Sequence, residues 1–246
     1  MIQDRYSHTY SLTAGESDAE GRMPLTLITL RIIEVATEHA NSLGIGYAEL
    51  IKQNIGWVLS RISIEMERYP RINENYTFTT WIESYNRFFS ERNFMILDGD
   101  GNVIGHARTV WVAMNFETRS VADLSSFDRE RFPIADLPCP IDKTPRIPVP
   151  GDDASEETYT FRYRDIDFNR HVNTVRYLDL ILNHWSLEHF DTHTIARFDI
   201  MFHNECHYGQ TVTMRIGHGP ESCPGNICEI IQPDNRKAVT ARIIWK

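Results

Sequence analysis

The feature that most constrains the fold of this chain is an internal repeat. The segment Arg61–Ile64 is echoed by Arg197–Ile200, and the segment Ala107–Trp111 is echoed by Ala241–Trp245. The two offsets are 136 and 134 residues, so the second half has lost only two residues between the paired segments. Chance similarity of two short strands is the alternative, but the matching order favours duplication. We therefore predict that one helix-and-sheet unit occurs twice in the chain.

Each half contains a long helix followed by strands. In the first half, apolar residues recur at helical spacing over residues 25–39, and Gly44 supplies a stop signal. Alternation of apolar and polar residues then predicts four strands over residues 57–115, with a hairpin turn at 98–102. These patterns predict an α+β fold of two tandem antiparallel sheets, each wrapped around its own helix.

A proline-rich segment separates the two halves. Six prolines lie between Ser125 and Asp153, where few apolar residues recur periodically. Such a composition is typical of an extended linker that lies on the surface. We predict an N-terminal domain over residues 1–124, a linker over 125–157 and a C-terminal domain over 158–246.

Composition excludes several classes of protein. A net charge of −9 argues against a general nucleic-acid-binding surface, which requires a basic face. No apolar run approaches the ~20 residues that span a bilayer, and the N-terminus lacks the apolar core of a secretory signal. Four cysteines without paired spacing favour a reducing compartment and provide no zinc pattern. We expect a cytoplasmic protein that uses neither a metal nor a cofactor.

The segment 159–185 changes from strand periodicity to helix periodicity. Alternation predicts a strand over residues 159–164. Spacing of three and four residues predicts a helix whose buried face is formed by Val175, Leu178, Leu182 and Trp185. The turn between them carries five polar side chains, which are Asp165, Asp167, Asn169, His171 and Asn173. Such a turn collects titratable groups beside a helix N-terminus, whose free N–H groups stabilise negative charge.

Asp167, Asn169 and His171 are the strongest candidates for catalysis. Side chains two residues apart on extended backbone point the same way, so these three are predicted to face one cleft. Histidine transfers protons near neutral pH, asparagine binds a water or a carbonyl, and a carboxylate orients either of them. Asp165 and Asn173 are better explained as a turn former and a helix cap.

Glu205 and Cys206 form a second candidate cluster, at the end of a predicted strand. Glu205 has the chemistry of a general base, and Cys206 is either a nucleophile or an inert core residue. The run His203–His207 offers metal-binding residue types, but adjacent residues on a strand point to opposite faces. This alternation argues against a metal site.

These residues resemble the acyl-acyl carrier protein thioesterases of plants and bacteria, and the resemblance covers nearly the whole chain. In the first half it is carried by Arg68–Pro70, Thr80–Trp81 and Ala107–Val112. In the second half it is carried by Asp165–Asn173 and Asn204–Cys206. One departure is Thr174, where the family often has a second asparagine; threonine also suits a helix start. The resemblance implies a double hotdog fold, in which two tandem domains mimic a dimer within one chain.

The resemblance also implies an activity, which is hydrolysis of a fatty acyl thioester to a free fatty acid and a thiol. The catalytic residues of the family fall on Asp167, Asn169, His171 and Glu205, and a cysteine proposed as nucleophile falls on Cys206. In the route that we favour, Glu205 and His171 activate a water, while a covalent Cys206 intermediate is the alternative. Backbone N–H groups of Val172 and Asn173 are candidates for the oxyanion hole. The acyl chain is expected in the first domain, against the helix at 25–43.

The implied partner is an acyl carrier protein that bears the acyl chain on phosphopantetheine. A candidate docking surface is formed by Arg162, Arg164, Arg170 and Arg176, with an ordinary solvated surface as the alternative. Hydrolysis of coenzyme A thioesters and non-enzymatic acyl binding stay open as other functions, and a hydratase is more remote. Both a monomer and a homodimer fit the sequence, since exposed sheet edges are able to pair two copies.

Overall fold

The computed structural model describes residues 4–124, 132–152 and 154–246 of the chain, which divides into unit 1 (residues 1–143) and unit 2 (residues 144–246). The helices of unit 1 are α1 (Leu25–Ser42) and α2 (Tyr47–Leu50). Its strands are β1 (Arg5–Ser11), β2 (Ile55–Met66), β3 (Asn75–Tyr85), β4 (Phe89–Asp98), β5 (Val103–Asn115) and β6 (Ser120–Val121). They form an antiparallel sheet in the order β1-β3-β4-β5-β2, and β6 pairs with β5.

Helix α1 follows the predicted periodicity. It begins after Pro24, whose carbonyl accepts the N–H groups of Leu27 and Ile28 at 3.0 and 3.1 Å. It ends before Gly44, which adopts a φ of 70° that disfavours a residue with a Cβ. The predicted periodicity is confirmed, since the residues at this spacing are all buried, namely Leu25, Ile28, Ile32, Val35 and His39. This face packs against β1 and β3.

Unit 2 repeats the arrangement of unit 1. Its helices are α3 (Thr174–Leu182) and α4 (Leu187–Thr192). Its strands are β7 (Ser155–Thr160), β8 (Ile195–Phe202), β9 (Thr211–His218), β10 (Asn226–Ile231) and β11 (Lys237–Trp245). They form an antiparallel sheet in the order β7-β9-β10-β11-β8, which reproduces the strand order of unit 1.

The repeat read from the sequence is also a repeat in strand register. Ala107 of β5 lies opposite Ile64 of β2, and Ala241 of β11 lies opposite Ile200 of β8. The echoed segments therefore pair with each other in the same register in both units. The predicted α+β class, with two tandem helix-wrapped antiparallel sheets of the hotdog type, is confirmed.

Two predictions around residues 159–185 were wrong. The strand β7 ends at Thr160, and residues 163–165 form a 3₁₀ turn, because the carboxylate of Asp165 accepts the Arg162 N–H at 2.7 Å and closes the chain. Of the predicted face of α3 only Leu178 is buried, and the other buried residues of the helix are Tyr177 and Ile181. The Tyr177 ring, packed beside the buried Phe161 ring, sets this orientation.

The described part of the proline-rich segment packs closely on the units. Ala135, Cys139 and Ile141 cover Trp81 of β3, whose Nε1–H donates to the Leu137 carbonyl at 2.8 Å. Residues 125–131 and 153 of the predicted linker lie outside the described residues, and its boundaries stay a prediction. Within the described residues, no helix has the length and apolar character that crossing a membrane requires.

Candidate active site

The loop between Asp165 and α3 is a closed turn and not the extended segment that the sequence suggested. Ile166 and Val172 form an antiparallel bridge, and the Asp167 N–H donates to the His171 carbonyl at 2.8 Å. Arg170 has a φ of 69°, which reverses the chain. The prediction that alternation aligns the three catalytic candidates was therefore wrong, because the backbone between them folds back on itself.

The Asp167 carboxylate holds this turn together. Its Oδ1 accepts the backbone N–H groups of Asn169 at 2.8 Å and of His171 at 3.1 Å. Asp167 therefore fixes the backbone from which the other two candidate side chains project. The Asn169 side chain is exposed and makes no hydrogen bond with the residues that the structure describes. Its amide is thus available to a ligand.

His171 and Glu205 are brought together although 34 residues separate them in the sequence. The distance between His171 Nε2 and Glu205 Oε2 is 3.3 Å, and the two side chains are 22% and 34% exposed. The turn and the second cluster are joined by backbone, since the Val172 N–H donates to the Cys206 carbonyl at 2.9 Å and His171 bridges His207. The backbones that carry the pair are therefore joined to each other, and both side chains are partly open to solvent.

Cys206 occupies a different environment from its neighbour Glu205. It is fully buried, its N–H donates to the Tyr177 hydroxyl at 3.2 Å, and its Sγ accepts from Gln232 Nε2 at 3.4 Å. Burial raises the pKa of its thiol, so the nucleophilic thiolate is scarce near neutral pH. In the part of the chain that the structure describes, no hydrogen bond joins its Sγ to His171.

Asp165 and Asn173 have the structural roles that the sequence favoured. Asp165 is 8% exposed and also accepts the Tyr159 hydroxyl at 3.0 Å. Asn173 caps α3, since its Oδ1 accepts the Val175 N–H at 3.1 Å. Thr174 begins the helix, as predicted.

The predicted oxyanion hole was wrong. The Val172 N–H is used by the Cys206 carbonyl, and the Asn173 N–H donates to the Asp165 carbonyl at 2.8 Å. Neither N–H group is therefore left to stabilise an oxyanion. The sequence alone did not reveal these two hydrogen bonds.

The comparisons with known proteins identify the family of the chain. The N-terminal and C-terminal domain models of the acyl-ACP thioesterase family match residues 3–126 and 150–246. The chain belongs to the acyl-ACP thioesterase family. The crystal structure of an acyl-ACP thioesterase from Bacteroides thetaiotaomicron matches with a TM-score of 0.91 and 31% identity, over 99% of this chain and 98% of that one.

Two curated relatives of the chain are chloroplast proteins of plants. An oleoyl-acyl carrier protein thioesterase of Coriandrum sativum is 30% identical over 201 residues, which are 73% of this chain and 53% of that protein. An acyl-[acyl-carrier-protein] hydrolase of Cuphea viscosissima is 27% identical over 84% of this chain and 53% of its own length. The chain spans about half the length of the curated relatives that it matches.

Two residues of the site escaped the sequence reading. Tyr177 supports the backbone of Cys206, and Gln232 donates through Nε2 both to the Cys206 sulfur and to the Glu205 carbonyl, the latter at 2.8 Å. Gln232 directly follows β10, and it lies beside Glu205 and Cys206 because the sheet brings the end of β10 to them. Helical periodicity was the one sequence signal for Tyr177, but the predicted buried face of α3 did not include it.

Unit 1 of this family member contains the same loop with different side chains. The Asp18 N–H donates to the Arg22 carbonyl at 2.8 Å, and Asp18 Oδ1 accepts the N–H groups of Glu20 and Arg22. Gly21 has a φ of 69°, as Arg170 has in unit 2. Glu20 stands where unit 2 has Asn169, and Arg22 stands where it has His171. The duplication therefore preserved the backbone of the loop, while the residue types proposed for catalysis occur in unit 2.

The surface around the unit 2 loop combines positive charge with exposed aromatic rings. Arg162, Arg164 and Arg170 are exposed, whereas Arg176 pairs with Asp179 at 2.6 Å. The exposed aromatic side chains are those of Tyr163, Phe168 and Tyr208, at 83%, 79% and 70%. This composition is typical of a surface that binds a partner.

Proposed function

We propose that this chain hydrolyses fatty acyl-acyl carrier protein to a free fatty acid and the thiol of the carrier. The observation that carries the proposal is the His171–Glu205 pair in a member of the acyl-ACP thioesterase family. A carboxylate that accepts from a histidine is suited to remove a proton from water. The proposed site lies entirely within unit 2.

In the proposed reaction, Glu205 takes a proton from a water whose oxygen attacks the thioester carbonyl carbon. The carbon–sulfur bond then breaks, and the same proton passes to the leaving sulfur. His171 donates through Nε2 to Glu205 and holds its carboxylate in position. The products are one carboxylic acid and one thiol, so the reaction consumes one water and needs no cofactor.

Asn169 and Asp167 have separate roles in this proposal. The Asn169 amide donates to the carbonyl oxygen, on which negative charge develops during attack. Asp167 acts as a positioning residue, because its Oδ1 is already occupied by the N–H groups of Asn169 and His171. The burial and raised thiol pKa of Cys206 support the water route over a covalent one.

The partner in this proposal is the acyl carrier protein itself. The exposed surface of Arg162, Arg164, Arg170 and the neighbouring aromatic rings supports docking of an acidic protein beside the site. We also propose a cytoplasmic location, which the four buried free thiols support. The acyl-chain pocket in unit 1, the domain boundaries and a homodimer stay predictions.

Release of free thiol from matched acyl-carrier and acyl-coenzyme A substrates tests the proposal. Glu205→Gln removes the base while keeping the size of the side chain, and we expect kcat to fall about 10²- to 10⁴-fold. Glu221→Gln, at an exposed glutamate of unit 2, is the matched control and should retain wild-type activity. Full activity of Glu205→Gln would refute the water route. If the wild-type enzyme hydrolyses only the coenzyme A substrates, the substrate is an acyl-coenzyme A and not the acyl carrier protein.

A further inference from the structure

A buried arginine lies in the core of unit 1, far in sequence from the residues of the proposed active site. Arg92 of β4 is 4% exposed, and its cross-strand neighbours are the buried residues Ile82 and Thr109. Its side chain faces α1, because its Nη1 lies 2.6 Å from Nδ1 of the fully buried His39. A guanidinium in such surroundings is costly unless it is paired.

Arg92 lacks a counter-charge within the part of the chain that the structure describes. Its Nη1 contacts His39 and, at 3.4 Å, the Thr80 hydroxyl, and both are neutral partners. A guanidinium only donates, so His39 Nδ1 accepts and the imidazole carries its proton on Nε2. Among the described residues, Nε and Nη2 of Arg92 have no hydrogen-bond acceptor. Burial lowers the pKa of Arg92 to about 9, which reflects the missing anion.

Unit 2 shows that the fold does not need this cation. Asn226 of β10 lies opposite Ile243 of β11, in the register in which Arg92 lies opposite Thr109. The counterpart of Thr80 is Ile216. Each of these two residues pairs with a residue of the neighbouring strand, and that residue in turn lies opposite the alanine that the two repeated segments share. At these two positions unit 2 therefore has neutral side chains, whereas unit 1 has a cation and a hydroxyl group.

We propose that Arg92, with His39 and Thr80, binds the carboxylate of a fatty acid inside unit 1. The two unused donors, Nε and Nη2, lie on one edge of the guanidinium and match the two oxygens of a carboxylate. The surrounding core of Ile82 and its neighbours on the α1 face suits an apolar tail rather than a hydrated inorganic anion. Binding at this site requires no hydrolysis, so it stands or falls separately from the proposed activity.

Calorimetric titration of the whole chain with palmitate and with hexadecanol tests the proposal. We expect wild type to bind the acid about 10- to 100-fold more tightly than the alcohol, as one bidentate charged pair supplies. Arg92→Met should abolish that preference and leave binding of the alcohol unchanged. The control Arg61→Met removes an exposed arginine from β2 of the same unit and should retain the preference.

Equal affinity of wild type for acid and alcohol would overturn the proposal, as would an Arg92→Met protein that still prefers the acid. The wild-type comparison decides the matter even if that variant does not fold. Arg92→Lys supplies a further criterion, because it keeps the charge but loses the two-pronged edge. We expect a preference between those of wild type and Arg92→Met.

Discussion

Substitutions of Asp167 distinguish a residue that positions the catalytic groups from one that takes part in the reaction. Its Oδ1 already accepts two backbone N–H groups of the turn, from Asn169 and His171. An asparagine in its place offers the same carbonyl oxygen without the charge, whereas an alanine offers nothing. Asp167→Asn and Asp167→Ala therefore test whether the carboxylate acts by holding the turn or by its charge.

The expected sizes follow from the two hydrogen bonds. A hydrogen bond to a charged acceptor contributes about 1.5–3 kcal/mol, and partial exposure of Asp167 reduces the sum for two bonds to about 2–3 kcal/mol. Asp167→Ala should then lower kcat/KM about 30- to 100-fold, since 1.4 kcal/mol corresponds to tenfold. Asp167→Asn keeps both bonds in neutral form and loses about 1 kcal/mol, or roughly fivefold.

The assay is thiol release from an acyl-carrier substrate, with thermal unfolding measured on the same preparations. Asp191→Asn, at an exposed aspartate of α4, is the matched control and should behave as wild type in both measurements. The positioning role is refuted if Asp167→Asn loses as much activity as Asp167→Ala while both unfold at the wild-type temperature. In that case the charge itself takes part in the reaction.

Three further predictions follow from buried groups. Cys206→Ala should keep activity within about tenfold of wild type. Because burial raises the pKa of the thiol, iodoacetamide should leave Cys206 unmodified at neutral pH, as measured by mass spectrometry. An acyl-enzyme trapped on this sulfur would contradict both expectations. Asp199→Asn should cost about 3–5 kcal/mol of unfolding free energy, because the buried Arg197 and the partly buried Arg242 lose their counter-charge, and a lower urea midpoint would report it. Arg92→Met should raise the unfolding free energy of the ligand-free protein by about 1–4 kcal/mol. The reason is that burial lowers the pKa of Arg92, so the charged guanidinium costs stability at neutral pH. An unchanged melting temperature would count against this expectation.

Much of the fold was readable because it depends on local patterns. The face of α1 follows from the spacing of its apolar residues, and the repeat of Arg61–Ile64 predicted a duplicated unit, whose two copies share one strand register in the structure. The residue types of the candidate site were also readable, since Asp167, Asn169, His171 and Glu205 cluster in two short segments. These features need only periodicity and proximity along the chain.

Local patterns failed where side-chain hydrogen bonds and contacts between strands, rather than residue periodicity, set the backbone. The alternation over 159–164 suggested a longer strand, but the Asp165 carboxylate closes a turn there, and Arg170 reverses the next one. The rule that side chains two residues apart on extended backbone point the same way does not apply to such a turn. The oxyanion donors failed for the same reason, since the N–H groups of Val172 and Asn173 are bound by carbonyls that the sequence does not place nearby.

The sequence by itself determined the duplicated α+β architecture and the residues available for chemistry, because periodic burial is encoded locally in each strand and helix. Only the tertiary structure decided which groups meet. It places His171 within 3.3 Å of Glu205, and it buries Cys206 in contact with Tyr177 and Gln232. It also buries Arg92 without an anionic partner among the described residues. Whether a side chain ends as a base, a buried thiol or an unpaired cation depends on burial and on partners far along the chain, and these exist only once the sheet has formed.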